Sequence, residues 1–258
     1  MKILISLIAS ILLTSTLYSQ YPFETYPAIK YQELKDWKVY DKCQTEKKIH
    51  YTLTIPFFYK NPDSVTIQLT LLTEGTDTSY IRVFRNKKQI QKFIEPYNIG
   101  SGYECNRIAP TPQSIYLEDL NGDSLNDLKI LIPFNGCCGA YNYYLHVIYL
   151  IQKQDGTFTK ISYTDLMMDY ELRPERDING DGNFEIITQT FKSVENHNYW
   201  LFNLYNFNGS GLINVNQVDN YPIMVQLLYR DNFAITDKIS PEKIKDFSLK
   251  LPEGYNAK

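Results

Sequence analysis

The sequence predicts an all-β protein whose antiparallel sheets repeat and stack like propeller blades. Three observations predict it. First, the chain of 258 residues carries 22 Tyr and 13 Phe, and aromatic residues make up 14% of it; such residues favour half-buried strands. Second, apolar and polar residues alternate with the period of a strand in several runs, Val65–Leu71 most clearly. Third, an acidic loop recurs in register. Asp119-Leu-Asn-Gly-Asp-Ser-Leu-Asn-Asp127 returns 58 residues later as Asp177-Ile-Asn-Gly-Asp-Gly-Asn-Phe-Glu185. Each copy precedes a strand, a polar connection, an aromatic strand, a Gly turn and a further strand. One such sheet buries only one face, so neighbouring units must stack to complete a core.

From the N-terminus, Lys2, the apolar run Ile3–Leu13 and the small or polar stretch Ser15–Ser19 have the layout of a secretory signal peptide over residues 1–19. The run is shorter than the roughly 20 residues a spanning helix needs. Its removal takes away one positive charge and moves the net charge from −3 to −4. An exported location, periplasmic or extracellular, follows, with no integral membrane segment after cleavage. Residues 20–110 read as an N-terminal β region with a degenerate blade-like unit. In it, Tyr80–Phe84 and Gln89–Ile94 flank a hairpin at Arg85-Asn-Lys-Lys88. Ile29–Trp37 reads as a helical turn or irregular chain.

Residues 111–235 hold the two loop repeats. The first runs through Asp127–Ile132, stopped by Pro133, and then through Tyr143–Ile151 and Phe158–Tyr163 around Asp155-Gly156. The second runs through Phe184–Thr190, Tyr199–Phe207 and Leu212–Val218 around Asn208-Gly209. Residues 236–258 form a tail with a short helix, capped by Ser240 with Pro241 at its first position. The mature length accommodates roughly four units of this size.

Each loop places side-chain oxygens at positions 1, 3, 5 and 9: Asp119, Asn121, Asp123 and Asp127, then Asp177, Asn179, Asp181 and Glu185. The carbonyls of Leu125 and Asn183 at position 7 can add another oxygen. A hard cation such as Ca²⁺ takes six to eight oxygens. His and Cys are absent from both loops, which argues against zinc. The competing use of such residues is an Asx-turn connection without metal; two copies in register favour two Ca²⁺ sites of structural type. An EF-hand is excluded, because position 12 holds Ile130 or Thr188 where a bidentate Glu is required.

The pattern D-x-N-G-D-G-x-x-D before a β-run resembles the calcium loops of FG-GAP/VCBS repeats of integrin-α-like β-propellers, over roughly residues 115–215. Two departures stand out: Ser124 at a glycine position and Glu185 at an Asp position. A weaker resemblance links Tyr199-Trp-Leu-Phe-Asn-Leu-Tyr205 and its loop to small exported bacterial propeller-like proteins. Some of these inhibit lysozyme-type peptidoglycan hydrolases, which implies an inhibitor or immunity role.

The slightly acidic balance argues against nucleic-acid binding. No H-E-x-x-H, G-x-S-x-G, Walker or G-x-G-x-x-G motif is present, and His50, His146 and His197 stand in unrelated contexts. No catalytic residue is assigned, and the chain reads as a binding protein rather than an enzyme; an envelope enzyme acting on a glycan is the rival. The expected partner is a protein or an envelope component, with a peptidoglycan hydrolase as the narrower case. The Tyr-bearing segments Asn135–Tyr144 and Lys192–Tyr199 sit in equivalent places and are the expected contact surface, or else pack between sheets. Cys43, Cys105, Cys137 and Cys138 allow three disulfide pairings. A Cys137–Cys138 bridge is sterically awkward, so pairing of each with a distant partner is favoured, with a free buried thiol as the alternative.

Overall fold

The computed structural model describes residues 21–43, 48–59, 62–72, 79–95, 107–108, 112–135, 144–167, 172–228, 232–235 and 239–258. The signal-peptide segment, the Asn135–Tyr144 connection beyond its ends, and the disulfide pairing lie outside them. The strands in chain order are β1 (Gln32–Leu34), β2 (Lys38–Cys43), β3 (Lys48–Ile55), β4 (Val65–Leu72), β5 (Ser79–Arg85) and β6 (Lys88–Glu95). There follow β7 (Arg107–Ile108), β8 (Ile115–Glu118), β9 (Asp127–Asn135), β10 (Tyr144–Gln152), β11 (Phe158–Leu166) and β12 (Ile186–Val194). The last are β13 (His197–Phe207), β14 (Leu212–Asn214), β15 (Ile223–Leu228), β16 (Asn232–Ile235) and β17 (Asn256–Ala257). Among the described residues one short α-helix, α1 (Pro241–Lys245), is capped by Ser240, whose hydroxyl accepts from the Lys243 N–H.

These strands form three antiparallel sheets, none of which closes into a barrel among the described residues. The first is β2-β3-β4-β5-β6. The second is β1-β8-β9-β10-β11-β17, with β7 added beside β9. The third is β12-β13-β15-β16, with β14 beside β13. The second sheet lies between the other two. Val65, Ile67, Leu69 and Leu71 of β4 pack with Ile81 and Val83 against Leu128, Ile130, Ile148 and Leu150 on one of its faces. On its opposite face Leu131, Val147, Tyr149, Ile161 and Tyr163 meet Ile186, Tyr205 and Leu212 of the third sheet. β10 and β11 are therefore buried on both faces, and their sequence is nearly continuous rather than alternating. The other face of the third sheet packs Trp200, Phe202 and Val225 under Phe23.

Double burial brings polar groups inside, and each must be paired. On the face toward the first sheet, Lys160 Nζ meets Glu95 Oε1 at 2.6 Å, and His146 Nε2 meets Glu95 Oε2 at 2.8 Å. On the opposite face, Lys129 Nζ meets Glu175 Oε1 at 2.7 Å and donates to the Arg173 carbonyl at 3.0 Å. Tyr31 and Tyr149 also donate their hydroxyls to Glu175. Burial, then the Glu175 charge, holds both phenols well above their ordinary range.

Several expectations need correction. Pro133 does not stop β9, which continues to Asn135. Pro133 pairs with Leu145 on one side; on the other, β8 has ended and β7 pairs only from Phe134, so the missing N–H falls in a gap. Ile29–Trp37 is neither a helical turn nor wholly irregular, because it contains β1, which pairs with β8. Lys192–Tyr199 is not an open connection: strands run to Val194 and from His197, around a two-residue turn at Glu195 and Asn196 with φ 50° and 66°. The tail adds β17 to β11 as well as a helix.

Two predictions follow from the buried pairs. Glu175→Leu leaves the Lys129 ammonium buried without its carboxylate, so the urea midpoint should fall by the equivalent of about 3–5 kcal/mol. Adding Lys129→Met should restore much of that loss. The second concerns pH. Burial opposes ionisation of Glu95, but His146 and Lys160 outweigh it and hold the carboxyl below its ordinary 4.5. The cluster thus contributes stability that is fully present above pH 4.5 and is lost as pH falls through the lowered folded value. Urea titrations across the acid range should show a steeper loss in the wild type than in Glu95→Gln; parallel curves would contradict this.

Candidate functional site

The two acidic loops adopt one conformation, as the repeat predicts. Position 4 has positive φ in both, 73° at Gly122 and 74° at Gly180. So does position 6, with 65° at Ser124 and 87° at Gly182. The hydrogen bonds correspond but for one: the Asp123 N–H also donates to Asp119 Oδ1 at 3.1 Å, while the matching Asp177 Oδ1 has no hydrogen-bond partner. The position 1 carboxylate accepts from the position 6 N–H: Asp119 from Ser124 at 2.7 Å, Asp177 from Gly182 at 3.2 Å. Asn121 and Asn179 accept from the Asp123 and Asp181 N–H groups and donate their amides to the same residues' carboxylates. Asp123 and Asp181 accept from the N–H of Leu125 and Asn183. These are Asx-type turns, in which the side chains take the place of a regular backbone ladder.

Position 9 differs from the rest. Asp127 and Glu185 are fully buried at the start of a strand. Asp127 accepts from the Leu120 N–H at 3.0 Å and from the Gln152 N–H of β10 at 2.7 Å. Glu185 accepts from the Ile178 N–H at 2.8 Å and from the Asn206 amide of β13 at 3.1 Å. The longer Glu arm thus keeps the bond to position 2 that Asp makes. Sequence reasoning missed Gln152 and Asn206, because nothing local marks a partner more than twenty residues downstream. The two loops are also neighbours: a Cβ at Gly122 would lie 2.9 Å from Asn183 Oδ1.

The donor set suits a hard cation. Asp177 Oδ1 is buried without a hydrogen-bond partner. Burial pushes the Asp127 carboxyl up to about 7, with Asp123 and Asp119 adding to it and two N–H bonds opposing. Glu185 is raised in the same way, by burial and then by Asp181 and Asp177 against its own hydrogen bonds. In each loop the two outer carboxylates thus add repulsion to the buried one, which a cation would relieve. The oxygens stand turned onto loop N–H groups; among the described residues no three His, Cys, Asp or Glu side chains converge as a ready-made metal centre.

The other expected contact surface is only partly displayed. Tyr199 is 1% exposed and packs with Leu201 and Met224. His197 contacts Gln226, His50 meets Thr70, and His146 belongs to the buried Glu95 cluster.

Ser124 carries a cost that Gly182 does not, since a non-Gly residue in the left-handed region loses about 1–2 kcal/mol. Gly182→Ser should destabilise by about 1 kcal/mol, while Ser124→Gly should be neutral to slightly stabilising, because glycine's greater freedom in the unfolded chain offsets part of the gain. Denaturant midpoints of the two variants check this.

Comparison with family models, with curated proteins and with solved structures gives no match, so the likeness to calcium-loop repeats rests on the loop residues themselves.

Proposed function

We propose that the chain is an exported, calcium-stabilised, β-propeller-like binding protein that recognises a protein or another component of the cell envelope. The observation that carries this is the matched pair of loops, alike in backbone sign and hydrogen bonds. Asp119, Asn121, Asp123, Asp127 and the Leu125 carbonyl would hold one ion. Asp177, Asn179, Asp181, Glu185 and the Asn183 carbonyl would hold the other. The ion would supply positive charge beside the buried acid and the two outer acids that repel it. The residues themselves pin the start of β9 and β12 to the strands beside them. Three stacked sheets, with the same loop leading into β9 of the second and β12 of the third, support the propeller-like arrangement. Among the described residues no helix is long and apolar enough to cross a membrane. The signal-peptide layout supports export.

Calorimetry tests the calcium clause. Sites of extracellular type have dissociation constants of order 10⁻⁴ to 10⁻³ M. At roughly ten to a hundred times that value, each contributes roughly 1–3 kcal/mol. The melting temperature should rise by several degrees on going from chelator to calcium. Asp123→Asn with Asp181→Asn should abolish the rise while keeping the loop N–H bonds. An unchanged melting temperature would remove calcium from the proposal. Capture from envelope extract tests the binding clause, and a peptidoglycan hydrolase among specifically eluted proteins would narrow the partner to that class.

A further inference from the structure

Phe57 is the most exposed large apolar side chain among the described residues, at 75%. It also has φ 55°, in the left-handed region. For a bulky residue that is a genuine outlier. A strained backbone that displays an aromatic ring to solvent points to a ligand contact rather than to packing.

The surroundings fit such a contact. Two hollows of about 130 and 400 Å³ share Tyr59, Leu125 and Gln152. Phe57 lines the smaller; Arg85, Gln154 and Asp155 line the larger. The Arg85 guanidinium stacks over the Tyr59 ring at 4.4 Å, and Asp63 takes its Nε and Nη2. Tyr59 is held by its hydroxyl bond to the Gly156 carbonyl at 3.1 Å. The larger hollow falls within the usual range for small-ligand sites.

We propose that this groove binds a neutral oligosaccharide, with the Phe57 ring against the apolar face of a sugar and Arg85, Gln154 and Asp155 bonding its hydroxyls. Three features select that class. The polar groups are amides, a carboxylate-paired guanidinium and a single further carboxylate, Asp155, so the groove offers donors and acceptors without the clustered positive charge that phosphate needs or the clustered negative charge that a polycation needs. Its volume takes one or two sugar rings. A stable protein partner would need about 800 Å² on each side, whereas Phe57 is the single exposed large apolar side chain lining these hollows.

The first acidic loop builds one wall of the groove. The Asn126 amide donates to the Phe58 carbonyl at 2.5 Å, and Asp127 holds the Gln152 N–H at 2.7 Å. The inference rests on the binding-protein reading above, but not on its calcium clause.

Isothermal titration of the full chain with chitotetraose, cellotetraose and mannotetraose tests it. At least one should bind saturably. Phe57→Gly should weaken that binding about tenfold or more, and its melting temperature should equal or exceed the wild-type value, because glycine accepts φ 55° and the lost ring is exposed. Gln154→Ala, on an exposed side chain, should weaken binding independently. The proposal is overturned if none of the three sugars binds, if both variants bind as the wild type does, or if Phe57→Gly melts well below it, which would make the ring a packing group. Loss of envelope-protein capture in Phe57→Gly without any sugar binding would also overturn it and assign the groove to a protein. A failure confined to the sugars leaves calcium-dependent melting and envelope capture intact, and so is distinguishable from failure of the binding reading.

Discussion

Most of this structure depends on one constraint: the middle sheet is buried on both faces. A sheet covered on one side can place every second residue in water. β10 and β11 cannot, and nearly all of their side chains are buried. Any polar residue on them must find its partner inside, because an unpaired buried charge costs several kcal/mol. Lys160 of β11, and Lys129 of the neighbouring β9, answer this on opposite faces. Neither acid partner comes from the strands beside it. Glu95 ends β6 of the first sheet, and Glu175 lies just ahead of the second acidic loop. The two ion pairs thus fix which segments can cover each face, a constraint that apolar contact alone leaves open. The tyrosine excess has the same origin in part. Tyr31 and Tyr149 bury large rings and spend their hydroxyls on Glu175.

The acidic loops apply the same rule at the edge of the sheets. Their buried position 9 acids would be orphaned carboxylates, but each accepts an N–H from its own loop and a second bond from a neighbouring strand. That bond is why two loops differing at positions 2, 6, 7, 8 and 9 keep one shape. The position 1 bond in turn holds Ser124, whose N–H donates to the Asp119 carboxylate in the left-handed conformation. What hydrogen bonding leaves uncompensated is the repulsion of each buried position 9 acid by the two outer acids, and Asp177 Oδ1 has no donor at all.

The legible parts of the fold are those whose cause is local. Val65–Leu71 alternates because one face is buried, and it became β4. The Arg85–Lys88 hairpin was visible because Asn86 and Lys87 supply its two positive φ values. The Ser240-Pro241 cap was visible for a similar reason. The illegible parts are decided elsewhere in the chain. β1 has three residues and β17 has two, and both exist only because longer strands offer them an edge. β2 reads Lys-Val-Tyr-Asp-Lys-Cys, with too few apolar residues to signal a strand, and is defined by pairing with β3. Pro133 looked like a terminator because its tolerance depends on a gap between β7 and β8. The loop oxygens were legible by spacing; the strand partners of Asp127 and Glu185 were not. Phe57 carried no signal, since neither its exposure nor its φ follows from its neighbours.

The two loops are alike internally but differ in what surrounds them. The second faces the first, where Asn183 approaches Gly122, and is tied to β13 through Asn206. The first is tied to β10 through Gln152 and reaches back to the first sheet through Asn126 and the Phe58 carbonyl. Among the described hydrogen bonds, it is the first loop that reaches the segment carrying Phe57. A duplicated loop whose shape is set by its own side chains leaves its outer positions free to vary. Position 8 is Asn126 in one copy and the partly buried Phe184 in the other: a polar tether to the groove in the first, a core contact in the second. The same turn thus serves assembly in one place and the shaping of an exposed surface in the other, and the difference is carried by one side chain outside the oxygen-bearing positions.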